Sequence, residues 1–339
     1  MSIKIQELSL YPDELLDASP TELGTIFSCP TLLHLPGIRK PSLFVSVLLH
    51  GNEVTGFYAI QKLLKKYRHH DRKLPRSLSV FFGNIEATGQ GTRRLDQQQD
   101  YNRIWNGGDT PEHRMAAKIL KIMKKKGVFA CVDVHNNSGK NPHYACINVL
   151  GTEFINLASL FGRTIVYFTE PHEVLSLAFS RFCPAVTIEA GHGYEPQAID
   201  HACNYIEACL HLDHIPLLDI RHQDVDIYHT VGKITLPEDS SLSFAGKKDR
   251  EADFSFIEDL DELNFSELST DRVIGYQNAS SKELIVTDND GKHVEREIFS
   301  YQNGEIHLCR EFIPSMLTMD SKIIRQDCLG YLMEHYQLP

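Results

Sequence analysis

A histidine and a glutamate three residues apart, His50 and Glu53, follow an apolar stretch of the chain. Residues 43–49 are rich in apolar and β-branched side chains, which predicts a buried strand. Residues 54–67 carry apolar side chains at three- and four-residue steps, which predicts a helix directly afterwards. The pair therefore lies where a strand turns into a helix, the edge of an α/β sheet at which ligands commonly bind. Because zinc favours imidazole nitrogen and carboxylate oxygen, the sequence indicates a two-ligand clamp for zinc.

A second histidine follows another predicted strand. Residues 129–134 form an apolar run that ends at His135, so this imidazole is expected at the same edge of the sheet as His50. Asp133 lies two residues earlier and would point to the same side of the strand, where it could orient a ligand imidazole. His135 is therefore the candidate third ligand, and the alternative is that it caps a loop.

Glu189 ends a third apolar run, residues 183–188. A carboxylate at the end of a buried strand is unfavourable unless it is paired or functional. Beside a zinc-activated water, this group could act as a general base and then donate the proton to a leaving nitrogen. The alternative is an ordinary strand-end carboxylate that faces solvent.

A polar, arginine-rich segment separates these strands. It contains Arg93 and Arg94, followed by Asn102 and Arg103. Guanidinium groups bind carboxylates through two hydrogen bonds and can polarise a carbonyl oxygen. A solvated, charged loop is the alternative, and composition alone favours it.

The elements that would position these residues alternate along the chain. From residue 31 to about 215, predicted strands and helices follow one another, which indicates an α/β sheet with helices on both faces. After residue 216 helical periodicity largely disappears, and short apolar runs are separated by turn signals such as Asp290-Gly291. We expect an α/β domain over residues 1–215 and a smaller β-rich C-terminal domain over residues 216–339.

Composition and charge exclude several classes of protein. The chain of 339 residues is 42% hydrophobic and 23% charged, which is ordinary for a soluble globular protein. Its net charge of −11 argues against general binding to nucleic acid or anionic membranes, since both require a basic face. No stretch approaches the roughly 18 apolar residues of a membrane span, and the eight cysteines form no Cys-x-x-Cys pair. We expect a cytoplasmic protein with no nucleic-acid or membrane partner, and a homodimer as the default assembly.

Four short motifs occur along the chain in a recognisable order. They are His50-Gly51-Asn52-Glu53, Asp100-Tyr101-Asn102-Arg103, Asp133-Val134-His135-Asn136 and Glu189-Ala190-Gly191. In order and approximate spacing they resemble the succinylglutamate desuccinylase/aspartoacylase family, a branch of the zinc carboxypeptidase superfamily. The motifs span roughly residues 43–195, and we recognise no family motif in residues 216–339.

The resemblance implies a fold, a metal and a base. The fold would be a mixed sheet flanked by helices, similar to that of zinc carboxypeptidases, with a smaller β-rich C-terminal domain. His50, Glu53 and His135 would bind one zinc ion per chain. Glu189 would be the general base and proton shuttle.

The resemblance also implies substrate-binding residues. Asn102 and Arg103 would bind a substrate carboxylate, and an arginine just upstream would polarise the scissile carbonyl. Arg94 is our preferred candidate for that arginine, and Arg93 competes with it. The run from Arg94 to Asn102 is eight residues, one longer than is usual in the family.

The reaction implied by the resemblance is hydrolysis of a linear amide, which would remove the acyl group from a small carboxylate-bearing N-acyl amino acid. A zinc carboxypeptidase acting on a short peptide would use the same Asn102-Arg103 pair for a terminal carboxylate and is one alternative. A non-catalytic zinc- or ligand-binding module is another, although such a module has no need of a base such as Glu189. The motifs do not identify the acyl group or the amino acid.

Overall fold

The computed structural model describes residues 3–221, 223–278 and 282–338. The chain divides into two compact units, the first comprising Met1–Asn136 with His143–Asp226 and the second Asn137–Pro142 with Ile227–Pro339. The short segment Asn137–Pro142 groups with the second unit through local contacts. Asn141 Oδ1 accepts a hydrogen bond from the backbone N–H of Met316 (2.9 Å), and Thr318 Oγ1 donates to the Ser138 carbonyl (3.1 Å).

The first unit contains a mixed sheet. Its strands are β1 (Gln6–Leu8), β2 (Thr31–Leu35), β3 (Gly37–Val47), β4 (Leu74–Phe82), β5 (Val128–His135), β6 (Tyr144–Ile147), β7 (Thr164–Tyr167) and β8 (Ala185–Glu189). Within this unit the strand order is β1-β2-β4-β3-β5-β8-β6-β7. The adjacent strands β4, β3, β5 and β8 are parallel, whereas β2 and β6 join them in the antiparallel sense. β4 is buried along its whole length, as expected for a central strand covered on both faces.

Helices connect these strands. They are α1 (Leu23–Ile26), α2 (Thr55–His69), α3 (Ile85–Gly89), α4 (Pro111–Lys126), α5 (Thr152–Ser159), α6 (Leu175–Ser180) and α7 (Pro196–His211), with 3₁₀ helices at Asp13–Leu16 and Pro20–Glu22. The boundaries of α4 have clear causes. The Thr110 side chain accepts a hydrogen bond from the backbone N–H of His113, Pro111 occupies the first turn, and the chain leaves the helix at Gly127 with φ of 78°.

Parallel pairing brings the ends of three strands to one edge of this sheet. Ser46 of β3 lies beside Asp133 of β5, and His135 of β5 lies beside Glu189 of β8. β3 ends at Val47 because Leu48 has φ of 60°, which turns the chain towards His50. The strand therefore ends two residues before the apolar run of residues 43–49 does. Both histidines and Glu189 follow or end strands at the edge of the sheet that the sequence predicts.

Aromatic side chains pack below the arginine-rich segment. The Phe44 ring stacks on Phe179 (centroids 4.4 Å apart), and the Trp105 ring meets Phe81 edge-on (6.1 Å). Trp105 is buried, and its indole N–H donates to the carbonyl of Tyr101 at 2.7 Å. The only tryptophan of the sequence thus anchors the loop that carries Asn102.

The second unit is rich in short strands. They are β9 (Asp226–Thr235), β10 (Leu242–Ser243), β11 (Phe254–Phe256), β12 (Val273–Gln277), β13 (Ile285–Thr287), β14 (Phe299–Gln302), β15 (Glu305–Leu308), β16 (Ile313–Ser315) and β17 (Gly330–His335), with α8 (Glu295–Ile298), α9 (Ser321–Gln326) and a 3₁₀ helix at Leu260–Leu263. Within this unit β9, β17 and β16 pair in that order, β13 also pairs with β9, and a separate sheet has the order β10-β11-β12-β15-β14. The predicted turn forms at Asp290-Gly291, where Gly291 has φ of 76°.

These observations confirm the predicted fold class, a mixed α/β sheet flanked by helices with a smaller β-rich part towards the C-terminus. Of the described residues, none belongs to a helix long and apolar enough to cross a membrane.

Candidate metal centre

The turn that carries His50 packs tightly against a neighbouring loop. The backbone N–H of Gly51 donates to the carbonyl of Arg93 at 3.0 Å. A Cβ atom on Gly51 would lie 2.3 Å from backbone atoms of Ala87 and Thr88, so only glycine permits this approach. The turn after β3 is therefore joined to the arginine-rich loop by its backbone.

His50, Glu53 and His135 come together as the sequence predicts. One donor atom from each residue lies within 4.8 Å of the others, and all three side chains are buried. The two histidines contact the two oxygens of the same carboxylate: His50 Nδ1 lies 2.7 Å from Glu53 Oε1, and His135 Nδ1 lies 2.7 Å from Glu53 Oε2. Two imidazoles and one carboxylate form a donor set that suits a catalytic zinc site with an open fourth position.

Each histidine uses its other ring nitrogen to contact a further carboxylate. His50 Nε2 lies 3.0 Å from Asp100 Oδ1, and His135 Nε2 lies 2.9 Å from Asp133 Oδ2. Together with the Nδ1 contacts to Glu53, all four of these contacts are to carboxylate oxygens, which accept hydrogen bonds, so without a metal both nitrogens of each imidazole act as donors. A metal ion at Nδ1 would replace the proton there, while Nε2 would keep its proton and its bond to the further carboxylate, as is usual for metal-binding histidines.

The charges of the cluster favour a cation. Burial opposes the charged forms, but the surrounding carboxylates raise the pKa of His50 and raise that of His135 well above its ordinary value. Conversely, although burial would raise it, the two imidazoles hold the pKa of Glu53 well below its ordinary value. The carboxylates around the two imidazoles thus favour an additional proton on each ring. They favour a divalent cation for the same reason, because a metal ion replaces the protons on its ligands.

Glu189 lies on the strand next to His135 and has a different environment. Its side chain is 7% exposed, and no hydrogen-bond partner for Oε2 is found in the described part of the chain. Burial raises the pKa of Glu189 to about 7, while the charge of His135 opposes that rise. A carboxylate with a pKa near neutrality is matched to proton transfer at physiological pH.

The two adjacent arginines make different contacts. Arg93 is 8% exposed, and its Nε and Nη2 lie 3.1 and 3.0 Å from Asp100 Oδ2. Its Nη1 is 3.7 Å from Glu53 Oε1. Arg94 instead donates from Nη1 to the carbonyl of Gln98, on its own loop, at 2.9 Å. The structure thus brings Arg93 to the cluster of candidate ligands.

Asn102 lies at the cluster, and Arg103 lies beside it. Asn102 Nδ2 is 3.4 Å from His135 Nε2, and its Oδ1 accepts a hydrogen bond from the backbone N–H of Leu175 at 3.0 Å. Arg103 Nη1 donates to the carbonyl of Asn102 at 2.9 Å. The Asn102 side chain is buried, whereas Arg103 is half-buried.

Asp100 is a residue to which sequence reasoning assigned no role. It contacts His50 through Oδ1 and Arg93 through Oδ2, and Oδ1 also accepts the backbone N–H of Asn102 at 2.8 Å. Burial would raise its pKa, but His50 and Arg93 lower it well below the ordinary value. Asp100 therefore connects a candidate metal ligand to the nearby guanidinium. In the sequence, only its position in the Asp100-Tyr101-Asn102-Arg103 motif indicated that Asp100 could belong to the site.

Asn136 is the second such residue. Its Oδ1 accepts the backbone N–H of Thr55 at 3.0 Å, and its Nδ2 donates to the carbonyls of Ala190 (2.9 Å) and Gly191 (3.0 Å). Its own backbone N–H donates to Glu53 Oε2 at 3.3 Å. One buried amide thus joins the start of α2, the end of β5 and the segment after Glu189. In the sequence, Asn136 could have been found as a polar residue directly after His135 at the end of a predicted strand.

Comparisons with known proteins agree with this geometry. A sequence profile of the succinylglutamate desuccinylase/aspartoacylase catalytic domain matches residues 39–212, just over half of the chain. A search of curated proteins found no match.

Solved structures share the fold at low sequence identity. Murine aminoacylase 3 is 16% identical, with a TM-score of 0.58 over 88% of this chain and 97% of that chain. A succinylglutamate desuccinylase/aspartoacylase from Rhodobacter sphaeroides is 15% identical, with a TM-score of 0.58 over 89% and 88% of the two chains. The succinylglutamate desuccinylase from Chromobacterium violaceum is 19% identical, with a TM-score of 0.56 over 88% and 85%. At these identities the likeness concerns the fold.

Proposed function

The chain belongs to the succinylglutamate desuccinylase/aspartoacylase family, and from that membership we propose that it is a zinc-dependent hydrolase of a small N-acyl amino acid. The observation that carries the proposal is the buried group of His50, Glu53 and His135 with Glu189 on the adjacent strand. All four residues lie within the matched range 39–212. We assign the catalytic domain to residues 1–215 and a separate C-terminal domain to residues 216–339.

The donor atoms support one zinc ion per chain. His50 and His135 would bind it through Nδ1, since their Nε2 atoms contact Asp100 and Asp133. Glu53 would supply the carboxylate ligand. When bound at such a site, zinc supplies a Lewis acid and lowers the pKa of a water molecule to about 7.

Glu189 is the proposed proton carrier. Its Oε2 is not engaged by a described residue, and its pKa of about 7 allows it to accept a proton and to release it again. In the proposed reaction it takes a proton from the attacking water. It then donates that proton to the nitrogen of the scissile amide, so that the amino acid leaves as a neutral amine.

Arg93 is the proposed stabiliser of the negative charge that develops on the carbonyl oxygen. It is buried at the candidate ligands, and Asp100 holds its guanidinium in place. This proposal replaces our sequence-based preference for Arg94, whose guanidinium contacts the Gln98 carbonyl. Arg103, positioned through Asn102, is the proposed site for the substrate carboxylate.

Replacing Arg93 by methionine is expected to lower kcat about 10²–10³-fold, the usual effect of losing a donor to a developing oxyanion. Arg94→Met should lower kcat less than about tenfold, because the Arg94 guanidinium donates a hydrogen bond to the Gln98 carbonyl on its own loop. The measurement is steady-state kinetics of both variants at matched zinc content. If Arg94→Met loses more turnover than Arg93→Met, the polarising role belongs to Arg94.

The substrate class is tested with a panel of N-acetyl and N-succinyl amino acids, dipeptides and tripeptides, offered to the zinc-loaded protein. We expect turnover of carboxylate-bearing N-acyl amino acids and little turnover of peptides. Preferential cleavage of peptides would instead identify a carboxypeptidase. Saturable binding without turnover of any panel member would identify a non-catalytic module.

A further inference from the structure

A cavity lies beside the N-terminal half of β3, away from His50. It has a volume of about 610 Å³ and is lined by residues of β2, β3 and β4, by Ser9 and Pro36, and by Lys126, the last residue of α4. This volume falls within the range of small-molecule sites, roughly 300–1,000 Å³. Ser42, which lines the cavity, precedes Val47 by five residues on β3, so the cavity lies about 16 Å along the strand from the turn that leads to His50.

The charge of the cavity wall is opposite to that of the whole chain. Lys40, Lys126 and His34 line the cavity, and none of its lining residues is a carboxylate. Within the described ranges, neither lysine forms an ion pair. The carboxylate of Glu7 lies outside the lining, 3.9 Å from His34 Nε2. On a chain with a net charge of −11, two uncompensated ammonium groups at one cavity are a local excess of positive charge.

Buried hydroxyl groups form the inner part of the cavity. His34 Nδ1 lies 2.9 Å from Ser79 Oγ, and Ser79 Oγ donates to Ser42 Oγ at 3.2 Å. Ser42 and Ser79 are buried, whereas Lys40 and Lys126 are exposed. Because Ser42 Oγ is the acceptor of the hydrogen bond from Ser79, its own hydroxyl hydrogen remains available to a ligand.

Of the other lining residues, Ser9 and Ser77 are polar and four are apolar. Leu35, Pro36, Pro41 and Leu78 contribute to the wall. The two leucines are already buried, whereas Pro36 and Pro41 are exposed. A bare inorganic ion would leave the proline surface in water, whereas an organic molecule would cover it.

We propose that this cavity binds a small organic anion, with a carboxylate or phosphate head between Lys40, Lys126 and Ser42 and an apolar body against Pro36 and Pro41. The head would accept hydrogen bonds from two ammonium groups and from a buried hydroxyl group. The site is separate from the candidate metal centre and does not depend on the proposed hydrolysis.

The test is a titration of the full-length protein with benzoate, phenyl phosphate and inorganic phosphate. Binding is measured by isothermal titration calorimetry and by changes in the NMR signals of the His34 ring. Benzyl alcohol is the uncharged probe. We expect benzoate or phenyl phosphate to bind with a change at the His34 ring, and benzyl alcohol and inorganic phosphate to bind more weakly. The better of the two organic anions identifies the head group.

Matched variants separate this site from general attraction to lysines. The double variant Lys40→Gln/Lys126→Gln should weaken binding at least about tenfold, equivalent to about 1.4 kcal/mol. Lys124→Gln/Lys125→Gln makes the same change in charge on exposed residues of α4 that do not line the cavity, and should bind as wild type does. Turnover at the metal centre should be unchanged in both. Equal weakening in the two double variants, or binding without a change at the His34 ring, would overturn the proposal.

Discussion

Replacing Glu189 by glutamine is expected to lower kcat about 10²–10⁴-fold while the zinc content of the protein stays unchanged. Glutamine has nearly the same shape as glutamate but cannot accept and return a proton. Glu189 is not one of the three candidate ligands, so its loss should not release the metal. The measurement is kcat with the best N-acyl amino acid, together with metal analysis of the same sample.

A matched control is Glu153→Gln, which alters an exposed carboxylate of α5 and should leave kcat within about twofold. If Glu189→Gln keeps more than about a tenth of wild-type turnover, Glu189 is not the proton carrier.

The same variant separates loss of function from loss of fold. In metal-free protein prepared with a chelator, burial raises the pKa of Glu189 from its ordinary 4.5 to about 7. Ionisation therefore disfavours the folded state: its stability is intact below about pH 4.5 and declines as the pH rises through about 7. Glutamine removes this decline, so the variant should gain up to about 3 kcal/mol over wild type by pH 8. Thermal melts at pH 5 and pH 8 measure the difference.

Replacing Glu53 by glutamine is expected to weaken zinc binding more than about a hundredfold and to abolish turnover at stoichiometric zinc. Even partners that only orient a ligand account for about 10–100-fold in metal affinity, and a ligand itself should account for more. Both oxygens of Glu53 are in use, each 2.7 Å from an imidazole nitrogen. Competition with a chromogenic chelator measures the affinity.

Two further variants provide smaller expected changes in zinc affinity for comparison. Asp133→Asn alters the carboxylate that contacts His135 Nε2 and should weaken zinc binding by about 10–100-fold. Glu86→Gln alters an exposed carboxylate of α3 and should leave binding unchanged. A Glu53→Gln protein that binds one equivalent of zinc with wild-type affinity would exclude Glu53 as a ligand.

The parts of the site predicted from sequence are those that depend on strand ends. His50, His135 and Glu189 each follow an apolar run, and parallel pairing brings such ends to one edge. Asp133 is likewise two residues from His135, so alternation along a strand predicts that both point to one side, as they do.

The parts that were not predicted depend on contacts between distant segments. Arg93 and Arg94 are neighbours on a loop without periodicity. Only their contacts distinguish them, since Arg93 meets Asp100 and Arg94 meets the Gln98 carbonyl. Asp100 meets His50 across 50 residues of sequence. The short helix α6 was missed as well, although its first residue, Leu175, binds the Asn102 side chain.

The amide of Asn136 has a consequence for the order of folding. It bonds to Thr55, which is 81 residues away in sequence, and to the carbonyl of Ala190, which is 54 residues away. Closing loops of this length carries an entropic penalty that nearby contacts do not have. We therefore expect the edge of the sheet that carries Glu53, His135 and Glu189 to assemble late, together with the pairing of β3, β5 and β8 and after the local helices have formed. Protein caught before that step would lack the arrangement of ligands on which the proposed metal binding depends.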